Sequence, residues 1–151
     1  MSLSLPPLSL YVHIPWCIRK CPYCDFNSHV AEQEIPESDY VTALLQDIDQ
    51  QLQTIEERKL VSIFFGGGTP SLFSPTAIAS IVDFAEQKIG FTPDIEITLE
   101  ANPGASEQQQ FAGYRAAGVN RLSMGVQSFN NQHLKHLGRI HSAAEATSAI
   151  T

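Results

Sequence analysis

The chain has 151 residues, enough for one ordinary domain, and 43% of them are hydrophobic, enough to bury a core of that size. Nine basic residues against sixteen acidic ones give a formal charge of −7, and the basic residues are scattered, which argues against the clustered Lys and Arg face of a nucleic-acid binder. No stretch approaches the ~18 apolar residues of a membrane-spanning helix, and Met1 to Leu10 lacks the pattern of a secretory or transit peptide, so a cytoplasmic protein is expected.

Leu8 to Ile14 is apolar, contains β-branched and aromatic residues and stops at Pro15, which predicts a first strand. That strand delivers Tyr11-Val-His-Ile-Pro-Trp-Cys17-Ile-Arg-Lys-Cys21-Pro-Tyr-Cys24-Asp-Phe26, where all three cysteines of the chain fall within eight residues. An odd number of thiols this close together is no disulfide framework. Structural zinc would need His13 or His29 to complete a set of four ligands, and neither falls at a usual finger spacing. An iron–sulfur cube suits the pattern better, because three cysteines leave its fourth iron open to a substrate; zinc and a reactive thiol stay as alternatives. Arg19 and Lys20, inside the loop, read either as a solvated pair or as cations beside anionic sulfur. Three reduced cysteines suit a reducing compartment.

From Ser38, a plausible N-cap, Val41, Leu44, Leu45, Ile48, Leu52 and Ile55 recur at helical spacing and predict a first helix reaching the charged segment Glu56 to Lys59. Leu60-Val-Ser-Ile-Phe-Phe65 is a short apolar run of the kind buried on both faces of a parallel sheet, ended by Gly66-Gly67-Gly68-Thr69-Pro70. A second helix is predicted from Ser74 or Pro75 to Lys88, closed by Gly90, and a third strand over Asp94–Glu100, ended by Asn102-Pro103-Gly104. A third helix from Ser106 to Ala117 with Gly118 as its C-cap, a strand over Val119–Val126, a short amphipathic segment from Gln132 to Leu137, and a helix starting near Ser142 complete the pattern.

Four strand–helix repeats, each strand followed by polar or glycine-rich residues, predict an α/β fold with a parallel sheet. A doubly wound sheet fits the repeat too, but chemistry after every strand and no dinucleotide glycine fingerprint favour a partial β/α barrel. Residues 1–151 are therefore expected to form the N-terminal part of a longer core domain. An open strand edge predicts weak folding alone and concentration-dependent association, and leaves a homodimer as an expectation.

Polar groups gather after those strands. The glycine run lets backbone approach a ligand closely, although by itself it is also an ordinary tight turn. Glu100 would set a carboxylate at the rim, able to accept hydrogen bonds from ribose hydroxyls, although alone it reads equally as a solvated strand end; Gln127 falls at the same rim after the fourth strand, and Arg139 offers a guanidinium suited to a carboxylate.

The cysteine loop resembles that of the radical S-adenosylmethionine (SAM) superfamily. Tyr11 to Asn27, Phe65 to Leu72, Ile97 to Gly104, Arg121 to Asn130 and Leu137 to His141 together resemble the family of the haem chaperone HemW and the oxygen-independent coproporphyrinogen III oxidases. That resemblance implies a 4Fe-4S cluster on Cys17, Cys21 and Cys24, and a SAM site lined by Tyr11, Tyr23, Gly67, Gly68, Thr69, Glu100, Gln127 and Arg139. The oxidases carry a further cysteine one residue beyond the cluster motif, where this chain has Phe26 after Asp25. The departure favours the haem-chaperone branch, with haem as cargo and a haem-acceptor protein as partner; radical SAM oxidation of coproporphyrinogen is the alternative. Phe26 is expected to pack the loop against the rim. His13, His29, His133, His136 and His141 could each ligate iron on chemistry alone, but for each singly a surface or packing role comes first.

Overall fold

The computed structural model describes residues 5–151. Its elements in chain order are β1 (Leu8–Ile14), β2 (Trp16–Cys17), β3 (His29–Val30), α1 (Glu37–Gln51), β4 (Leu60–Gly67), α2 (Pro75–Lys88), β5 (Phe91–Ala101), α3 (Ala105–Gln108), α4 (Phe111–Ala116), β6 (Arg121–Met124), α5 (Asn131–His136) and α6 (Ala143–Ala149). Strands β1, β4, β5 and β6 form one parallel sheet in that order, so each new strand is added on the same side. A doubly wound sheet reverses direction at a switch point, and this one does not. The order is that of a β/α-barrel wall.

Period-two alternation gives the sheet two unlike faces. On one, Val12, Ile14, Ile63, Phe65, Ile97 and Leu99 are buried beneath α1, α2 and α4, together with Val41, Ile48, Ile78, Ile81 and Val82 from the helices. Each such side chain contributes about 1.5–3 kcal/mol when fully buried. That outweighs the missing side-chain cap of α1, whose N-cap is Pro36; an absent cap costs about 1 kcal/mol.

The other face is polar. Ser62 Oγ donates to Ser9 Oγ at 2.8 Å, Arg121 Nη1 reaches Thr98 Oγ1 at 3.2 Å and Glu96 Oε1 at 3.5 Å, and the Tyr11 ring stacks on Phe64. Burial of Leu60–Phe65 on both faces, expected from the apolar run, does not occur. Ser62, Phe64 and Gly66 lie on the same face as Ser9, Tyr11 and His13, their cross-strand partners, while Ile63 and Phe65 reach the core, as does Leu60 ahead of a register shift.

Other boundaries shift for local reasons. The N-cap of the first helix is Pro36 instead of Ser38 and the helix begins at Glu37, whose carboxylate accepts hydrogen bonds from Ser74 N (2.6 Å) and Ser74 Oγ (2.7 Å) and ties the starts of α1 and α2 together. It also ends early, continued by a 3₁₀ turn over Leu52–Thr54. The helix predicted from Ser106 to Ala117 divides into α3 and α4 around Gln109 and Gln110, where Gln110 N donates to Glu107 O at 2.9 Å in a tighter turn. Ser74 and Ser142 cap α2 and α6 with their side chains, the latter in a reciprocal box with Glu145.

Tyr114, fully buried on α4, places its hydroxyl 2.8 Å from Ser71 O and 2.9 Å from Phe73 O, joining the third repeat to the turn after β4. Tyr114→Phe leaves those carbonyls without this donor and should lower unfolding free energy by about 1–3 kcal/mol in chemical denaturation. An unchanged midpoint and slope would show that the hydroxyl carries no net stability.

Candidate functional site

All four strands of the main sheet run the same way, so the segments following them meet at one end. The cysteine loop leaves β1 through Pro15 and is closed at its neck by the small β2–β3 ladder, with His29 N donating to Pro15 O (2.7 Å) and Ala31 N to Cys17 O (2.9 Å). Lys20 Nζ donates to Phe26 O (3.3 Å) and Ser28 O (3.1 Å), and Cys24 N to Cys21 O (3.0 Å). Lys20 thus ties the loop across its own width.

The glycine run after β4 packs directly on this neck. Gly68 N donates to Ile14 O (2.8 Å) and Thr69 N to Trp16 O (2.7 Å), while a Cβ on Gly68 would lie 2.5 Å from Trp16 O. Gly67 has φ of 117°, and the His13 ring covers the position its Cβ would take, at 2.6 Å. These glycines are required first by the chain's own close approach. His13 is in turn fixed by Tyr11 Oη at its Nδ1 (3.0 Å) and by its Nε2 donating to Asn27 O (2.8 Å).

Around these segments lies a hollow of about 340 Å³. Cys17, Cys21, Cys24, Tyr23, Gly67, Gly68, Thr69, Glu100, Gln127 and Arg139 all line it, so ten of the eleven residues singled out in the sequence come together. Tyr11 does not. It stands on the polar face of the sheet, 57% exposed, because its position in β1 points away from the helices. Among the described residues no three His, Cys, Asp or Glu side chains converge closely enough to surround a single metal ion, so the thiols frame an opening and do not meet at a point.

Arg139 is the link between the rim segments. The left-handed Gly138 (φ 70°) closes α5 against Pro22 of the cysteine loop and turns the chain inward. Arg139 Nη1 then donates to Cys21 Sγ at 3.3 Å, and Nη2 donates to Asn102 Oδ1 at 2.5 Å and Gly125 O at 2.7 Å. Its Nε is buried with no hydrogen-bond partner among the described residues. Asn102, which the sequence marked only as the end of a strand, is therefore part of the site; its place just after Glu100 was the available signal. Phe26 is not buried between the loop and the rim, where packing was expected: it is 62% exposed and lines the hollow with Ile18, Tyr23 and Ile140, while the hydrogen bonds of Lys20 and the β2–β3 neck hold the loop.

Burial pushes the Glu100 carboxyl above its usual range, partly offset by the hydrogen bond from Gly67 N at 3.3 Å. Burial and the contact with Cys21 raise the Tyr23 phenol, against the lowering effect of Arg139. The folded state therefore holds a proton on Glu100 more tightly than the unfolded chain does. Stability from this group is present at acidic pH and declines as pH rises from the ordinary carboxylate range through the raised folded value. Glu100→Gln keeps an acceptor for Gly67 N and removes the titration, so its stability relative to the wild type should improve between pH 4.5 and pH 7. A constant difference across that interval, measured by urea unfolding, would contradict the raised value.

The radical SAM superfamily model matches residues 11–151. The chain is 59% identical to the heme chaperone HemW of Haemophilus influenzae and 52% identical to that of Escherichia coli, in each case over 97% of this chain and 39% of the relative. It thus spans about two fifths of the length of these relatives. The solved structure of coproporphyrinogen III oxidase (HemN) from Escherichia coli, described as a radical SAM enzyme, superposes with a TM-score of 0.85 at 33% identity, covering 95% of this chain and 33% of that one. With its consecutive parallel strands and its three-cysteine loop at their C-terminal ends, the chain belongs to the radical SAM superfamily.

Proposed function

We propose that this chain is the N-terminal part of a core domain that binds a 4Fe-4S cluster and SAM in the hollow, and that the protein is a haem chaperone delivering haem to an acceptor protein. The observation that carries the reading is the set of three thiols spread around one opening that a carboxylate and an amide also line. Three separated sulfurs suit a cube, whose irons are held apart, better than one zinc ion. The similarity to heme chaperone HemW supports the choice of function within the superfamily.

When bound, such a cluster supplies an open iron for the amino and carboxylate groups of SAM and an electron for its sulfonium. Cys17, Cys21 and Cys24 would hold it. Arg139 sets a cation beside Cys21, its Nη1 donating to Sγ at 3.3 Å. Gly67, Gly68 and Thr69, whose N–H groups are already bonded within the chain, would present backbone carbonyls to the ligand, and Glu100 would accept hydrogen bonds from ribose hydroxyls. Tyr23 would offer a ring and Gln127 an amide within the lining of the same hollow. Tyr11, outside the hollow, acts on the site through His13 and the neighbouring Glu100.

The likeness in fold to coproporphyrinogen III oxidase favours a second reading, oxidative decarboxylation of coproporphyrinogen. Phe26, where that branch carries a further thiol, weighs against it. Among the described residues no helix is long and apolar enough to cross a membrane, and a reducing, cytoplasmic setting fits three free cysteines. Association of two copies is part of the same proposal.

Replacing any one of Cys17, Cys21 or Cys24 with Ser should abolish the cluster after anaerobic reconstitution. Iron and sulfide contents equal to the wild type in a single variant would refute the assignment. Stoichiometric haem binding without protoporphyrinogen formation, assayed anaerobically with SAM, a reductant and coproporphyrinogen III, is the outcome expected of the intact protein. Robust protoporphyrinogen formation would replace the chaperone reading with the oxidase.

A further inference from the structure

The segment from Arg139 to His141 passes beside the turn that carries Gln127 and grips two of its successive carbonyls. Arg139 Nη2 donates to Gly125 O, and the His141 Nε2 lies 3.0 Å from Val126 O. A carbonyl only accepts, so Nε2 carries the ring proton. His141 is 5% exposed, burial holds its pKa below the usual histidine value, and its Nδ1 has no hydrogen-bond partner among the described residues. The ring is thus a neutral donor with one fixed bond.

What that bond holds is unusual backbone. Val126 O also accepts from Ser128 N at 2.8 Å, which closes a three-residue turn over Gln127, and Gln127 has φ of 65°. This is the left-handed form of the γ-turn, rare and strained for a residue with a side chain, and it persists only where its surroundings over-determine it. Gly125 N still donates to Ala101 O of β5 at 3.0 Å, and the turn that follows, Val126 N to Met124 O at 2.9 Å, carries the chain away from the sheet. Gln127 lines the hollow; His141 does not.

We propose that His141 is a positioning residue, whose Nε2–H bond to Val126 O locks the strained turn that aims Gln127 into the hollow, so that SAM affinity depends on a side chain outside the binding surface. The inference rests on the reading of the hollow as a SAM site.

The test compares His141→Gln, His141→Asn and His141→Leu in the intact protein with its cluster reconstituted. A Gln amide nitrogen reaches about as far as Nε2, whereas an Asn amide reaches only the place of Nδ1. Leu and Asn should accelerate amide hydrogen exchange at Gln127 and Ser128 and weaken SAM binding in equilibrium dialysis by about ten-fold, the scale of one buried hydrogen bond. Iron and sulfide contents should not change, and Gln should restore both readouts. Should Leu impair folding, the Gln and Asn pair, which differ by one methylene, decides the matter. Wild-type exchange and affinity in the Asn variant, or a Gln variant no better than Asn, overturns the proposal. If exchange follows the expected pattern and the unmodified protein binds no SAM, the clasp holds and the assignment of the hollow falls.

Discussion

The cysteine loop is seated on the sheet by a backbone contact that only glycine permits. Gly68 N and Thr69 N donate to Ile14 O and Trp16 O, and the space a Cβ on Gly68 would need is already filled by the Trp16 carbonyl. The exit of β4 and the entry to the loop therefore share hydrogen bonds, and the distance from the thiols to the rest of the rim follows from them. Trp16 itself is clamped edge-on by Tyr40 (centroids 4.7 Å apart) and stacked on Phe73 (5.9 Å), while Tyr40 Oη donates to His13 O at 2.7 Å. Aromatic pairs of this kind add about 0.5–1.5 kcal/mol each beyond their burial. The neck is thereby anchored to α1 and to the turn after β4, and the loop beyond it is free to present its sulfurs.

A sheet with one apolar and one polar face is what makes this arrangement useful. Helices cover the apolar face and hold the strands in register, so the ends of those strands form a fixed frame. The polar face carries Tyr11, His13, Glu96, Arg121 and the stem of Glu100, which would be poorly accommodated in a doubly covered sheet. Glu100 reports the transition between the two environments: it is buried enough to hold its proton more tightly than usual, yet it receives a donor from Gly67 N. In a chain with a formal charge of −7, Arg19, Lys20 and Arg139 all reach the hollow, which sets local positive charge around the sulfurs against the overall balance.

Much of this was legible in the sequence because it depends on near neighbours. Three cysteines within eight residues, a glycine run ending an apolar strand, and Ser74-Pro75 opening a periodic segment are local signals with local causes, and each was read in its place. The first strand was found residue for residue, since Pro15 cannot continue it. Where the reading missed, distant groups decided. The N-cap of α1 moves from Ser38 to Pro36, where the Glu37 carboxylate serves Ser74, and β6 ends at Met124 because the chain turns away after Gly125 N has bonded Ala101 O, with Arg139 and His141 binding the carbonyls of Gly125 and Val126.

Residue types and their spacing determined by themselves that the chain is a succession of strand–helix units with a thiol-bearing loop after the first, because hydrophobic period and turn chemistry act over a few bonds. Only tertiary structure decided which face of each strand meets the helices, that Tyr11 stands outside the hollow while Asn102 lines it, and that Arg139 joins Cys21 to the far rim. Those outcomes rest on contacts between segments up to 118 residues apart. No local pattern encodes which of several polar groups a folded backbone will bring within hydrogen-bond distance, since that is set by register and by the packing of the whole sheet.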